Sequence, residues 1–437
     1  MRDAVYDHVL SFGEEGAESF RRELRRAGIA PTPAEKKGNL YAPNPVVVPR
    51  RIVDAMMADL NRFCEARREE TTGPGDLVAT MPDDLRATFA GPEVAEALFE
   101  RLGREHPISC LDAYLVERDG VLEPAYLEWQ THPAYHATAL VVLEAIRRAY
   151  PGLEDVGAAF SPRPGEDLDG LRERLRGYLL SVAPGDAREC VLVDYRPREQ
   201  DTFHEFHFEI ELTGGAERGY GVIDPREIVW IEGRPHSRRG ERTVPIRHAF
   251  SRLVHGDMVR LRDELGAEER ASVARFFGGA SGVDWLVHPL HFAYGTKGDF
   301  PRFGERGLTA RIPRCRPVTA ALIAEARAAG PERLTGLVQK PVEGCGGQGV
   351  VLEPRPDQLV PGAILQDLIR PAACHRTLAG DRTPEVRVMG LPTTRGDLDC
   401  ASVFTRVRAP EAFGSNAGIV ARAGVPGTGE GYAVLVP

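Results

Sequence analysis

Leu337 to Pro354 reads LVQKPVEGCGGQGVVLEP, a strand-like run that enters Glu343-Gly344-Cys345-Gly346-Gly347-Gln348-Gly349 and then regains strand character. Glycines let a backbone come close to phosphate and take positive φ, lining up successive N–H groups as an anion cradle. Lys340, just ahead of the loop, adds a point charge for a phosphate oxygen. The segment is not a Walker A loop, because no Gly-Lys-Ser/Thr follows. Nor is it a dinucleotide fingerprint, because strand and not helix comes next. A glycine-rich hairpin with a solvated lysine is the plainer alternative. Two neighbouring segments favour the nucleotide reading. Gln366-Asp367-Leu368-Ile369 ends the strand-like run AILQDLI, where edge backbone is expected to pair with an adenine ring between apolar residues. Tyr294-Gly295-Thr296-Lys297 brings a second lysine near an irregular stretch.

A second chemical signal lies far upstream, in Tyr126-Leu127-Glu128-Trp129-Gln130-Thr131. Residues i and i+2 of a strand point to one face, so Glu128 and Gln130 can converge on one ion. Asp112, on the preceding strand-like run, joins them if the two runs pair. Two carboxylates and an amide oxygen suit a hard cation that also binds phosphate oxygens. Without that convergence, Asp112 and Glu128 are solvated strand residues.

A lysine, then strand-Lys-Pro with a glycine-rich flap, then a hinge at a strand end resembles the ATP-grasp superfamily. The resemblance gives Lys297 and Lys340 the roles of phosphate-binding lysines. It makes Gly344, Gly346, Gly347 and Gly349 the flap, and Gln366, Asp367, Leu368 and Ile369 the adenine hinge. Metal residues that precede the lysines are similar to the circularly permuted branch of that superfamily, which includes glutathionylspermidine synthetase. There, an aspartate strand and a Leu-Glu-x-Asn strand come early, an α/β segment follows, and the lysine lobe comes last. The resemblance spans about residues 105–420 and implies ATP and magnesium, the latter held by Asp112, Glu128 and Gln130. Two departures bear on substrate identity: the family's Asn is Gln130 here, and an arginine that some relatives carry two residues before the aspartate is Cys110.

Arg406, in Val403-Phe404-Thr405-Arg406-Val407-Arg408, matches an arginine on a late strand of the permuted branch, and Arg387 lies on the preceding strand. If a carboxylate is phosphorylated and an amine attacks, charge builds on the tetrahedral oxygen, and a preorganised arginine stabilises it. Arg387 is expected at phosphate. Both arginines are otherwise surface groups. Ser415-Asn416-Ala417-Gly418 is a weaker loop candidate near the same site. His204-Glu205-Phe206-His207 lacks the His-Glu-x-x-His spacing, and its alternation with phenylalanine favours packing over zinc. Arg238, Arg239 and Arg242 read as an exposed turn, or as a recruiter of a carboxylate substrate.

These residues need a scaffold of some size, and 437 residues suggest roughly two to three domains. Apolar residues at 42% and charged residues at 27% exclude a largely disordered chain, a collagen-like fibre and a long coiled coil. A net charge of -9 argues against a general nucleic-acid binder. Seven scattered cysteines without a Cys-x-x-Cys pair indicate neither a zinc site nor a disulfide framework. No signal peptide and no run of the ~20 apolar residues that a membrane helix needs are seen, so a cytoplasmic protein is expected.

The expected fold class is α+β, an ATP-grasp fold, circularly permuted. Residues 1–104 are a mainly helical region, and 105–188 are the ATP-grasp part with the metal-binding strands. Residues 189–265 form a small open α/β unit, and 266–437 carry the lysines, flap and hinge. The expected activity is an ATP-dependent carboxylate–amine ligation through an acyl phosphate, on amino acids or small peptides. A regulatory nucleotide-binding module and a small-molecule kinase are the alternatives. No nucleophilic side chain is required, so Cys345 is expected to be dispensable.

Overall fold

The computed structural model describes residues 1–29, 41–79, 81, 83–89, 91–131, 136–181, 185–200, 202–278, 281–342, 349–408 and 428–437. The flap residues Gly344, Gly346 and Gly347, Cys345, and the loop Ser415 to Gly418 lie outside them.

An antiparallel sheet stands at the centre. Its order is Gly429–Tyr432, Leu398–Arg408, Gly380–Pro392, Ser109–Arg118 and Val121–Thr131, with His375–Thr377 pairing onto one end of Gly380–Pro392. Ser109–Arg118 and Val121–Thr131 form a two-residue hairpin in which Arg118 pairs with Val121. Its turn residues, Asp119 at φ 52 and Gly120 at φ 74, both need the left-handed region, and Asp-Gly is the dipeptide that tolerates it.

Alternation along these strands separates two faces. Leu111, Ala113, Trp129, Val386, Val388, Val403 and Val407 pack against the long helix Arg50–Glu70, which offers Ile52, Val53, Met56, Leu60 and Phe63 at three- and four-residue spacing. The opposite face carries Asp112, Glu128, Arg387 and Arg406.

A second sheet is wholly parallel, in the order Asp284–Val287, His248–Ser251, Cys190–Val193, Gly221–Ile223. Cys190–Val193 is buried along its whole length, as expected of a strand covered on both faces. Helix Phe203–Thr213 links it to Gly221–Ile223 and contains the His204–His207 segment. This parallel unit draws its fourth strand from beyond residue 265. The run YGVIDPREIVWIEG divides, since Val229–Ile231 belongs to a separate three-stranded meander with Arg234–Arg239 and Arg242–Pro245.

The third sheet is antiparallel, in the order Cys315–Pro317, Ile364–Asp367, Leu337–Lys340, Val351–Leu352, with helix Ala320–Ala329 packed on it. Gly380–Pro392 and Leu398–Arg408, read from sequence as part of the same lobe, instead join the central sheet. Residues 1–104 are likewise shared out. Helix Gly13–Arg26 contacts helix Ala137–Ala149, Arg50–Glu70 covers the central sheet, and the helices from Pro74 to Leu102 pack on the parallel unit. Val47–Pro49 runs parallel to Val434–Val436, near the other end of the chain.

Candidate functional site

Register alone brings the charged residues of the central sheet together. Arg387 lies opposite Asp112, and Asp112 lies opposite Glu128, so three adjacent strands present one row. In the next row on the same face, Tyr114 lies opposite Glu385, Glu385 opposite Arg406, and Arg406 opposite Glu430.

Arg387 grips Asp112 with a two-toothed fork, Nε to Oδ1 at 2.5 Å and Nη2 to Oδ2 at 2.6 Å. Its Nη2 is also 3.7 Å from Glu128 Oε1. Arg406 Nη1 stands 3.5 Å from Asp112 Oδ2 and donates to Glu385, while Arg406 Nε is 3.8 Å from Glu430. Arg408, opposite Thr383 in the following row of the same face, donates to Glu385 at 2.8 Å and to the Tyr114 hydroxyl at 2.8 Å.

The two lysines arrive from different elements. Between Asp112 and Ala113 the pairing slips, leaving Leu127 as the extra residue of a β-bulge. The Leu127 carbonyl accepts from Lys340 Nζ at 3.0 Å. Lys297 opens a short 3-10 turn whose preceding Thr296 accepts from the Gly298 N–H at 3.1 Å. Its Nζ lies 3.3 Å from Glu128 Oε2. Gly295 makes that approach possible: a Cβ there would meet Trp129 at 2.7 Å and Thr131 at 2.8 Å. Lys297 and Lys340 therefore flank Glu128 and its bulge.

Burial sets the protonation of the cluster. It pushes Asp112 up to about 6 against the pull of Arg387, so the carboxylate is still mainly ionised at pH 7. Burial would raise Glu128 too, but Lys297, Arg387, Arg406 and Lys340 outweigh it and hold the group at about 2. Burial lowers Lys340 to about 8, opposed by Glu128 and assisted by Lys297. Glu430 is pushed up to about 7 by burial, with Arg406 opposing.

The predicted hinge differs from the expected edge. Ile364–Asp367 has a partner strand on each side; the Asp367 N–H donates to Arg314 O at 2.8 Å and the Leu368 N–H to Gly336 O at 2.8 Å. Those donors are already used within the sheet. Gln366 is buried and donates to Tyr126 O at 3.2 Å, tying the third sheet to the acid-bearing strand. Ile369 packs with Tyr114, Val116 and Ala125 on the charged-face side. Gly349, the described end of the flap, takes φ 71 beside Pro341.

The donors named for magnesium fit it poorly in this geometry. Both Asp112 oxygens are held by Arg387, one Glu128 oxygen faces Lys297, and Gln130 stands opposite Cys110 in the hairpin register. Among the described residues, no three His, Cys, Asp or Glu side chains group as a metal site.

Residues that sequence reasoning passed over complete the arrangement. Asp59, 1% exposed, accepts from Tyr126 OH at 2.6 Å, Thr309 at 3.0 Å and Arg311 at 2.9 Å, pinning the bulged strand from behind. Glu385, Glu430, Tyr114 and Arg408 extend the charged face. The alternation Glu385-Val386-Arg387-Val388 was a readable signal that one side of that strand is charged.

Neither a family model nor a curated protein matches the sequence. Among solved structures, the chain is similar to a glutathione synthetase-like effector from Globodera pallida in its apo form. The two share 13% sequence identity at a TM-score of 0.53, over 97% of this chain and 96% of that chain. At that identity the likeness is one of fold. The chain is an α+β protein whose fold is similar to that of this effector. Among the described residues, no helix is long and apolar enough to cross a membrane.

Proposed function

We propose that the chain is an ATP-dependent carboxylate–amine ligase on a circularly permuted ATP-grasp scaffold. The observation that supports this best is the meeting of Lys297 and Lys340, from separate elements, around Glu128 and beside the Arg387 and Arg406 guanidinium groups. Lone surface lysines do not converge on one strand, and five cations, Lys297, Lys340, Arg387, Arg406 and Arg408, share this face with four carboxylates, Asp112, Glu128, Glu385 and Glu430. Such a site suits a polyphosphate.

In this reading Lys297 and Lys340 neutralise ATP phosphate oxygens while a substrate carboxylate attacks the γ-phosphorus. The products of that step are ADP and an acyl phosphate. An amine then attacks the acyl carbon, phosphate leaves, and an amide forms. Arg406 and Arg387 supply fixed positive charge where the tetrahedral oxygen develops. Most of the rate gain comes from positioning and electrostatics. The substrates are small molecules of the amino-acid or short-peptide kind.

The test is ADP release from magnesium-ATP across pooled carboxylates and amines, with Lys340→Ala as control. ADP that requires both an acid and an amine, and that the control abolishes, supports ligation. A phosphorylated acceptor as final product points to a kinase. ATP binding with no turnover across broad pools points to a nucleotide-binding module.

A further inference from the structure

Arg387 stands where two carboxylates converge. The fork of 2.5 and 2.6 Å uses both oxygens of Asp112, and the same guanidinium lies 3.7 Å from Glu128 Oε1. A divalent ion held by Asp112 and Glu128 would have to displace the guanidinium that both carboxylates already face. The arrangement comes from the backbone: Arg387, Asp112 and Glu128 are directly opposed on three neighbouring antiparallel strands. Asp112 is 1% exposed and Arg387 is 6% exposed, so neither has water to fall back on if the other leaves. Lys297, at 3.3 Å from Glu128 Oε2, takes the remaining side of that carboxylate.

We infer that the Arg387 guanidinium is a built-in cation at the position between Asp112 and Glu128, and that Asp112 is a positioning residue for Arg387 instead of a metal ligand. The inference rests on the reading of this face as a phosphate site. It alters that reading in one respect: the positive charge beside the phosphates is covalently part of the chain. Arg406 gains from the same device, since its Nη1 leans on Asp112 Oδ2 at 3.5 Å. A planar guanidinium presents paired N–H donors to phosphate oxygens, so Arg387 can serve Asp112 on one edge and an anion on another.

The experiment uses the full chain, with Mn2+ alone and ADP alone as probes. Mn2+ binding is followed by electron paramagnetic resonance and ADP binding by calorimetry. The wild-type chain is expected to bind ADP without metal and to leave Mn2+ free when no nucleotide is present. Arg387→Met, which empties the position, is expected to gain Mn2+ binding and to show a rise in unfolding temperature with Mn2+. Adding Asp112→Asn to that variant should remove the gain. Asp112→Asn alone is expected to weaken metal-free ADP binding by about tenfold, because Arg387 loses its support.

Mn2+ binding to the wild-type chain without nucleotide would overturn the inference. So would an Asp112→Asn variant that keeps its metal-free ADP affinity but loses the effect of Mn2+. These outcomes leave the phosphate reading standing, whereas wild-type protein that binds no ADP with or without metal removes that reading itself. If Arg387→Met does not fold, the wild-type and Asp112→Asn titrations still decide the matter.

Discussion

Replacing Lys340 by methionine should stabilise the empty protein and weaken it as a nucleotide binder. Lys340 is partly buried, and its ordinary value of 10.5 is lowered to about 8. At pH 7 the ammonium is still protonated in the folded chain, at a cost of about 3 kcal/mol relative to the unfolded chain. Methionine keeps the stem and removes that cost. It also removes the charge-assisted hydrogen bond to Leu127 O at 3.0 Å, worth about 1.5–3 kcal/mol. The net expectation is a gain of about 1 kcal/mol at pH 7.

The sign follows from proton counting. Between about pH 8 and pH 10.5 the unfolded chain holds more protons at this group than the folded one, so wild-type stability rises across that window. Below it the penalty is present in full. The variant lacks this rise, and the gap between the two proteins should narrow from pH 7 to pH 10. With ADP the order should invert, because loss of a desolvated cation from phosphate costs about 1.5–3 kcal/mol, or roughly ten- to a hundredfold in affinity. Calorimetric unfolding at both pH values, with and without ADP, reads all of this. A variant less stable than wild type by the same margin at both pH values, with an unchanged response to ADP, would refute the reasoning and make Lys340 a structural cation.

Glu128→Gln should flatten the acid limb of stability. Glu128 is held at about 2 against an ordinary 4.5, so its stabilising contribution is complete above pH 4.5 and is lost as pH falls towards 2; acid unfolding of variant and wild type checks it. Asp59→Ala leaves Arg311 and the Tyr126 hydroxyl without their shared acceptor, and a loss of about 3–5 kcal/mol in urea unfolding is expected, accompanied by weaker ADP binding as the bulged strand loosens. Gly295→Ala forces a Cβ against Trp129 and Thr131, costing about 1–3 kcal/mol and displacing Lys297; unchanged stability and ADP affinity would contradict the close approach.

Much of the local chemistry was legible in the chain. The dipeptide Asp119-Gly120 between two strand-like runs dictates a tight hairpin, whose register alone would set Asp112 opposite Leu127; the bulge at Leu127 moves the partner to Glu128. The alternation in Glu385–Val388 and Phe404–Arg408 marks strands with one charged side. The fully apolar Cys190–Val193 marks a strand covered on both faces. These are short-range properties, fixed by φ/ψ preferences and by a side-chain period of two.

What remained for the tertiary structure is which strands become neighbours. Arg387 and Asp112 are 275 residues apart, and alternation reveals a strand's face but not the partner beside it. Pairing of Gly380–Pro392 with Ser109–Arg118 makes Asp112, read from sequence as a metal ligand, the acceptor of an arginine fork. The same limit applies at the hinge. Ile364–Asp367 has the composition of any short strand, and only the positions of Cys315–Pro317 and Leu337–Lys340 on its two sides make it central, with its amide donors already spent. The residue types therefore determined that this chain concentrates lysine, arginine and carboxylate on strands. Long-range register, whose energy is spread over a whole sheet, decided which of those charges meet.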